Sequence, residues 1–381
     1  MKKLIVLFSA VAALAACSKN EVVPSVSGEN VEISYKVAPR TKADPQTFDT
    51  KNVFASWAYY LPSGKWDETR TNAKIYIGKD SDNEHEGATI SYNGKVWKDK
   101  TTSYYWPKGG SLTFFAYSLN SNTLTLPEDV YSHFYCENHK DAYGIIGMLD
   151  WGTKDITSNI DFLVADIASD KTSNETSYYN INGVPTLFKH RFSRVKFAVK
   201  KEADYANTTI TLNSIKFNHL TNGMHYSQFN KDTESGEYKE FINPGGNYSG
   251  MEYTKTDFKV ESSTGFVSIP EANEVCYICI PQNFENVNTT ATIEVKYTVT
   301  FKEDISRSYI KTLNVKDIFN SWEMGKRYTF NLIFSLDEIN YAPAVGDWEN
   351  ETKNIDVVTG EVKPADSSIS ADGDTTTDEQ F

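Results

Sequence analysis

The feature that most restricts this chain is a period-two alternation of apolar and polar residues, in short runs cut off by Asn, Gly and Pro. Val31-Glu-Ile33-Ser-Tyr35-Lys-Val37 is its clearest instance. Successive side chains on an extended backbone point to opposite faces, so such a run buries one face of a strand and wets the other. Comparable runs are Val53 to Tyr60, closed by Pro62-Ser-Gly64, then Lys74 to Ile77 and Ala88 to Tyr92. Asn93-Gly94 then gives a hairpin signal before Lys95-Val-Trp97. Ser111 to Tyr117, Asp161 to Ala165, Leu187 to Lys200 and Thr209 to Phe217 continue the series. Val275 to Ile280, Ala291 to Phe301 and Tyr328 to Ser335 complete it. Residues 120–160 are less regular and read as loops or a short helix. No helical periodicity persists for more than about a dozen residues. The 23 Tyr and 21 Phe suit strands better than helices. The expectation is an all-β chain whose turn spacing fits sandwiches.

A length of 381 residues, at roughly 150 per domain, accommodates two such domains. The texture breaks at about residues 170–185, where Ser, Thr, Asn and Gly dominate. The expected organisation is therefore two β-sandwiches, at 44–185 and 186–336. A C-terminal segment follows at 337–358, with spaced apolar residues in Ile339-Asn-Tyr341-Ala-Pro343-Ala-Val345-Gly-Asp-Trp348 and in Ile355-Asp-Val357-Val358. Residues 359–381, rich in Asp, Ser, Thr and Gly, have the composition of a disordered acidic tail.

The N-terminus carries an export signal. Lys2 and Lys3 precede a short apolar run, and Leu14-Ala15-Ala16-Cys17 reads as a lipobox. The run falls short of the roughly 20 apolar residues that span a bilayer. Residues 1–17 are thus expected to be a processed lipoprotein signal peptide, with Cys17 as the lipidation site. The expected location is the outer membrane. Residues 18–29 form a polar tether, and 18–43 as a whole comprise tether, first strand and a basic loop. Pro39-Arg40-Thr41-Lys42-Ala43-Asp44-Pro45 cannot continue the strand, and Arg40 and Lys42 suit a trypsin-like protease.

The remaining thiols, Cys136, Cys276 and Cys279, are an odd set and make no disulfide framework. Cys276-Tyr-Ile-Cys279 lies within an apolar strand run. Residues three apart on a strand face opposite ways, so two buried cysteines are expected there rather than a redox or metal pair. The six His are scattered, and His190 between Phe188 and Phe192 reads as structural. Asp80-Ser-Asp82-Asn-Glu84-His-Glu86 begins like a calcium loop. However, His85 stands where Gly is needed and the closing Glu is missing, which leaves a solvated acidic turn. Nucleophile-elbow, phosphate-loop, zinc-helix and dinucleotide motifs are absent from the sequence. No enzyme activity, cofactor or metal is expected. A net charge of −13 argues against nucleic acid as a partner. Trp57, Trp66, Trp97 and Trp106 would stack on sugars if exposed, though core packing is the default for them.

Several of these segments, in their order, resemble the fimbrillin family, the lipoprotein precursors of type V pili. Tyr104-Tyr-Trp106-Pro-Lys-Gly-Gly-Ser-Leu-Thr-Phe-Phe-Ala116-Tyr resembles the family's W-P-x-G-x-x-x-x-F-x-A-Y strand. Asp161-Phe-Leu-Val-Ala165 is similar to its D-L-L-x-A segment, and Leu187 to Phe197 to its F-x-H-x-x-x-[KR] strand. Ile280-Pro281-Gln282 and Trp322-Glu-Met-Gly325-Lys-Arg-Tyr328 resemble its I-P-Q and W-x-x-G-x-x-Y signatures.

The resemblance implies two tandem transthyretin-like sandwiches and polymerisation by strand exchange. A protease would remove the first strand, Val31 to Val37, by cutting within Arg40, Thr41 and Lys42. The C-terminal strand of a neighbouring subunit would then fill the opened groove, with Ile339, Tyr341, Val345 and Trp348 as donor-strand residues. Its partners would be other fimbrillin subunits, the outer membrane through the precursor's lipid, and an adhesive ligand on host or bacterial cells. The final location would be a fimbrium on the cell surface. The alternatives are a pilus anchor, a tip adhesin, or a glycan-binding surface lipoprotein.

Overall fold

The computed structural model describes residues 31–37, 48–79, 86–125, 131–150, 161–173, 183–221, 223–231, 241–242, 247–248, 251–269, 277–302, 305–347, 353–356 and 361–363. Its first strands are β1 (Tyr35–Val37), β2 (Val53–Leu61), β3 (Lys74–Ile77), β4 (Ala88–Tyr92), β5 (Trp97–Asp99) and β6 (Ser111–Ser118). One short helix, α1 (Trp66–Thr69), interrupts them. Then come β7 (Tyr131–Asn138), β8 (Ala142–Asp150), β9 (Leu163–Ala165), β10 (Ala168–Lys171), β11 (Val184–Thr186) and β12 (Phe188–His190).

Ten of these strands make one sheet, ordered β11-β1-β5-β4-β2-β6-β9-β12, with β3 paired to β2 and β10 to β6. The first and last strands of that path are separated in sequence by Leu187 alone, so the sheet curls round until its ends meet. Inside the curl lies a core that includes Ile33, Tyr35, Phe54, Ile90, Trp97, Trp106, Phe114, Val184 and Phe188. The Asn93-Gly94 turn links β4 to β5 as predicted, with the Asn93 side-chain oxygen accepting from the Lys95 and Val96 amides.

β2 and β6 are buried along almost their whole length. Phe54 and Ala58 belong to the inner core, while Ala55, Trp57 and Tyr59 of the same strand belong to a second core on the other face. A strand covered on both faces loses the polar half of its alternation. The second core is closed by the β7–β8 hairpin, which occupies much of the 120–160 region where loops or a short helix were expected. Its glycines obscure the strand pattern. A Cβ on Gly147 would sit 2.4 Å from the Phe134 ring, so the bare position leaves room for an aromatic side chain on the neighbouring strand.

The rest of the chain begins with β13 (Ser193–Lys201), β14 (Thr209–Asn218), β15 (Leu220–Thr221), β16 (Gly223–Asn230), β17 (Phe241–Ile242) and β18 (Asn247–Tyr248). It continues with β19 (Met251–Lys259), β20 (Val267–Ile269), β21 (Tyr277–Cys279), β22 (Gln282–Asn283), β23 (Thr292–Thr300) and β24 (Ser306–Asn314). It ends with β25 (Ser321–Trp322), β26 (Lys326–Phe334), β27 (Ile339–Asp347), β28 (Lys353–Asp356) and β29 (Glu361–Lys363). The sheet β19-β14-β23-β24 packs on the sheet β20-β13-β26-β27-β28-β29. Phe330 is fully buried between them, with ring centroids 5.3 Å from Phe197 and 5.5 Å from Phe217. At about 1.5–3 kcal/mol for each large side chain removed from water, aromatics of this kind hold the two sheets together.

The chain is therefore all-β and layered as sandwiches. Its halves also interlock across the expected 185/186 division. β16 lies well beyond residue 186 yet pairs with β8, from Gly223↔Asp150 to Asn230↔Ala142. β12, just past the division, pairs with β9 of the first sheet. His190 on β12 meets Asp161 at 2.8 Å, both side chains mostly buried, which gives the structural role expected of it.

Candidate functional site

The first strand sits in the wall of the curled sheet. β1 runs parallel to β11, with Tyr35↔Val184, Lys36↔Pro185 and Val37↔Thr186 in register, and meets β5 antiparallel at Tyr35↔Trp97. Upstream, Glu32 bridges Tyr105. The Ile33 amide donates to the Tyr104 carbonyl at 2.7 Å, and the Trp106 amide donates to the Val31 carbonyl at 2.9 Å. On the opposite side the Val184 amide donates to the Ser34 carbonyl at 2.7 Å. Residues 31–37 thus fill a slot whose walls are 97–106 on one side and 183–186 on the other.

Gly183 sets how closely this strand can approach. Its φ is +83°, and a Cβ there would lie 2.7 Å from the Tyr35 carbonyl carbon and 2.9 Å from the Lys36 nitrogen. Both obstacles are backbone, so neither can rotate aside. Only glycine allows the strand in this slot to lie where β1 lies.

Side chains anchor the strand more than its ladder does. Ile33 and Tyr35 are buried. The Tyr35 ring meets Phe54 edge-on at 5.4 Å and Phe114 at 5.9 Å. Burial raises the Tyr35 hydroxyl pKa, and that hydroxyl, beside Ser56, finds no hydrogen bond of good geometry. On the other face Glu32 is clasped. Its carboxylate accepts from the Ser103 hydroxyl at 2.7 Å and from Lys98 Nζ at 3.1 and 3.2 Å. The Ser103 hydrogen bond holds the carboxyl below its usual range, partial burial opposes this, and Lys98 adds to the lowering. Taking residues 31–37 away would leave two lines of unpaired backbone groups and the pockets of Ile33 and Tyr35, a template for another strand.

The C-terminal segment is held differently. β27 pairs with β26 without a break, from Lys326↔Asp347 to Phe334↔Ile339. Ile339 is buried, and half-buried Tyr341 and Val345 pack on the core of their own sandwich. β28 joins β27 at Ala344↔Asn354 and Val345↔Lys353, and β29 follows β28.

Of the other residues singled out in the sequence, Cys17, Arg40, Thr41, Lys42, Trp348 and Asp80–His85 lie outside the described residues. Trp57, Trp66, Trp97 and Trp106 are all buried, so none presents a face on which a sugar could stack. Cys136 and Cys279 are buried, and Cys276 lies outside the described residues. Among the described residues no group of His, Cys, Asp and Glu is placed to hold a metal, and no helix is long and apolar enough to cross a membrane. Gly183, Lys98 and Ser103 were not picked out in the sequence. They are distant from β1 along the chain, and no local pattern marks them as its neighbours.

An all-β double sandwich with an N-terminal strand let into its wall defines a class, and the chain belongs to the fimbrillin-like family, whose family model matches residues 41–348. Among solved structures it is similar to a fimbrial protein from Bacteroides vulgatus, at 16% identity and a TM-score of 0.60, over 83% of this chain and 99% of that one. A candidate cell adhesion protein from Parabacteroides distasonis matches at 14% identity and a TM-score of 0.44, over 84% of this chain and 97% of that one. Another from Bacteroides uniformis matches at 13% identity and 0.43, over 84% and 100%. No curated protein matches the chain.

Proposed function

We propose that this chain is a structural subunit of a surface pilus, exported as a lipoprotein through Cys17 and polymerised by strand exchange. The observation that carries the reading is the state of residues 31–37. They form a short strand with two deeply buried side chains, followed after Ala38-Pro39 by the basic stretch Arg40-Thr41-Lys42. Cleavage in that stretch separates the strand from the body, leaving only non-covalent contacts to hold it. Its loss opens the slot between 97–106 and 183–186.

The replacement comes from the C-terminal segment of the next subunit. Because β27 is committed along its length to β26, donation falls to the part of 337–358 that lies past Asp347. That part adds β28 and β29 outside β27 at the edge of its sheet. Such an extension favours a stalk subunit over a tip protein, which has no strand to give. The precursor would reside at the outer membrane and the trimmed protein in the fimbrium, with other subunits as partners.

Replacing Arg40 and Lys42 together by Ala tests this. The double variant is expected to accumulate as a lipidated, monomeric precursor when surface protein is analysed by mass spectrometry and sedimentation. Polymer formed at the wild-type level would reject the mechanism.

A further inference from the structure

We infer that Lys98 and Ser103 form a carboxylate-selecting notch in the vacated slot, and that Asp356 of a second copy of this chain occupies it, fixing the register of the incoming strand. This rests on the strand-exchange reading above and adds to it which residue docks where.

The argument starts from what stays when β1 leaves. Both groups that hold the Glu32 carboxylate belong to the wall: Lys98 lies on β5, and Ser103 precedes the 104–106 stretch that bonds to residues 31 and 33. Departure of residues 31–37 removes the carboxylate and leaves a cation and a hydroxyl beside the pocket of Ile33. The Lys98 side chain is 33% exposed even with Glu32 in place, so the notch is partly shielded from water. An incoming strand is thereby read for an acidic residue between two apolar ones, the pattern Val31-Glu32-Ile33 now supplies. An apolar residue at the notch would leave the half-buried ammonium without a counter-charge, and a basic one would repel it.

Past Asp347, that triplet occurs once, as Ile355-Asp356-Val357. Glu349 follows Trp348 but precedes Asn350, and Glu361 follows Gly360. β28 and β29 are in register with Asp356 directly opposite Glu361.

The test uses the full chain, trimmed by a trypsin-like protease at residues 40–42, with polymer measured by sedimentation against protein concentration. Asp356→Asn and Lys98→Met should each raise the concentration for half-assembly by roughly fivefold, as fits one partly shielded ion pair. Combining Lys98→Glu with Asp356→Lys should restore assembly, while Glu361→Gln should assemble as wild type. If Asp356→Asn assembles normally, or if Glu361→Gln shows the loss instead, the notch assignment is wrong while strand exchange stands. If trimmed wild-type protein stays monomeric, strand exchange itself fails and the notch with it. Asp356→Asn leaves the wall of the slot unchanged, so it keeps the test valid even if Lys98→Met folds poorly.

Discussion

β1 and β27 lie toward opposite ends of the chain and both complete a sheet, but they are held in opposite ways. β27 is bound by a continuous antiparallel ladder to β26, and its side chains add to a core that many strands share. β1 is paired on both sides but only over short stretches, three residues in a parallel ladder to β11 and the Tyr35↔Trp97 and Glu32↔Tyr105 bridges opposite. To those few backbone bonds β1 adds Ile33 and Tyr35 in the core and Glu32 in its clasp. A continuous ladder resists replacement because every bond must break before a competitor gains any. Two pockets and a notch can be vacated and refilled, and any strand with the right side chains can refill them. On the proposed mechanism, the contrast suits β1 to leaving and β27 to staying.

The largest expected effect lies on the side that stays. Phe330 on β26 is fully buried and touches Phe197, Phe217, Phe319 and Trp322. Phe330→Ala should cost about 3–5 kcal/mol in urea unfolding and should loosen β27 along with the rest of the sandwich. If β27 lost amide protection without any fall in global stability, it too would be a detachable strand and the contrast would be broken.

Next in size is Gly183→Ala. The left-handed φ of +83° and the backbone contact with residues 34–36 both oppose a Cβ. A cost of about 2–3 kcal/mol is expected, confined to β1. Hydrogen exchange at the Ile33 amide should accelerate while the β26 and β27 amides are unchanged. Protection of Ile33 at the wild-type level would show that the slot has more room than this geometry allows.

These two sites differ in how far the sequence discloses them. Val31 to Val37 alternates openly, because one face of the strand is wet, and the Asn93-Gly94 turn is local chemistry. β26 was also legible as an apolar run. The β7–β8 hairpin was not, since its glycines make room for side chains on neighbouring strands and break the alternation. Nor was β16 as a partner of β8: pairing across the middle of the chain is settled by which exposed edge is free, and no residue near 223–230 encodes that. The slot was half-legible for the same reason. Its occupant and the Arg40-Thr41-Lys42 loop stand together in the sequence, whereas Gly183, Lys98 and Ser103 become a site only when the sheet curls.

A smaller effect sharpens the picture of β1 as a replaceable filler. The Tyr35 hydroxyl is buried, and the neighbour able to accept from it, Ser56, which donates to the Phe115 carbonyl at 3.1 Å, is poorly placed to do so. An unsatisfied buried hydroxyl costs about 1 kcal/mol or more. Tyr35→Phe should therefore stabilise the precursor by about 1 kcal/mol, seen as slower exchange at Ile33, and should slow release of the cleaved strand. Destabilisation instead would mean that the hydroxyl is satisfied and that β1 fits its slot better than a strand meant to leave should.

The smallest effect concerns the clasp. The Glu32 pKa is lowered from an ordinary value of 4.5, chiefly by the Ser103 hydrogen bond. A carboxylate with a depressed folded-state pKa contributes stability that is complete above its unfolded pKa and is lost as pH falls through the folded one. The contribution of the clasp is thus full above pH 4.5 and fades below it. The pair is about one-third exposed on each side, so solvent keeps its worth under about 1 kcal/mol. The protection factor of the Ile33 amide, taken against its intrinsic exchange rate at each pH, should fall on acidification below pH 4.5 in the wild type, and less so in Glu32→Gln. Salt at about 1 M, where screening acts over roughly 3 Å, should shrink the difference, because the Lys98 attraction is screened while the Ser103 hydrogen bond is not. An acid response equal in both proteins would assign the pH dependence to other carboxylates, leaving Ile33 and Tyr35 alone to hold β1 in place.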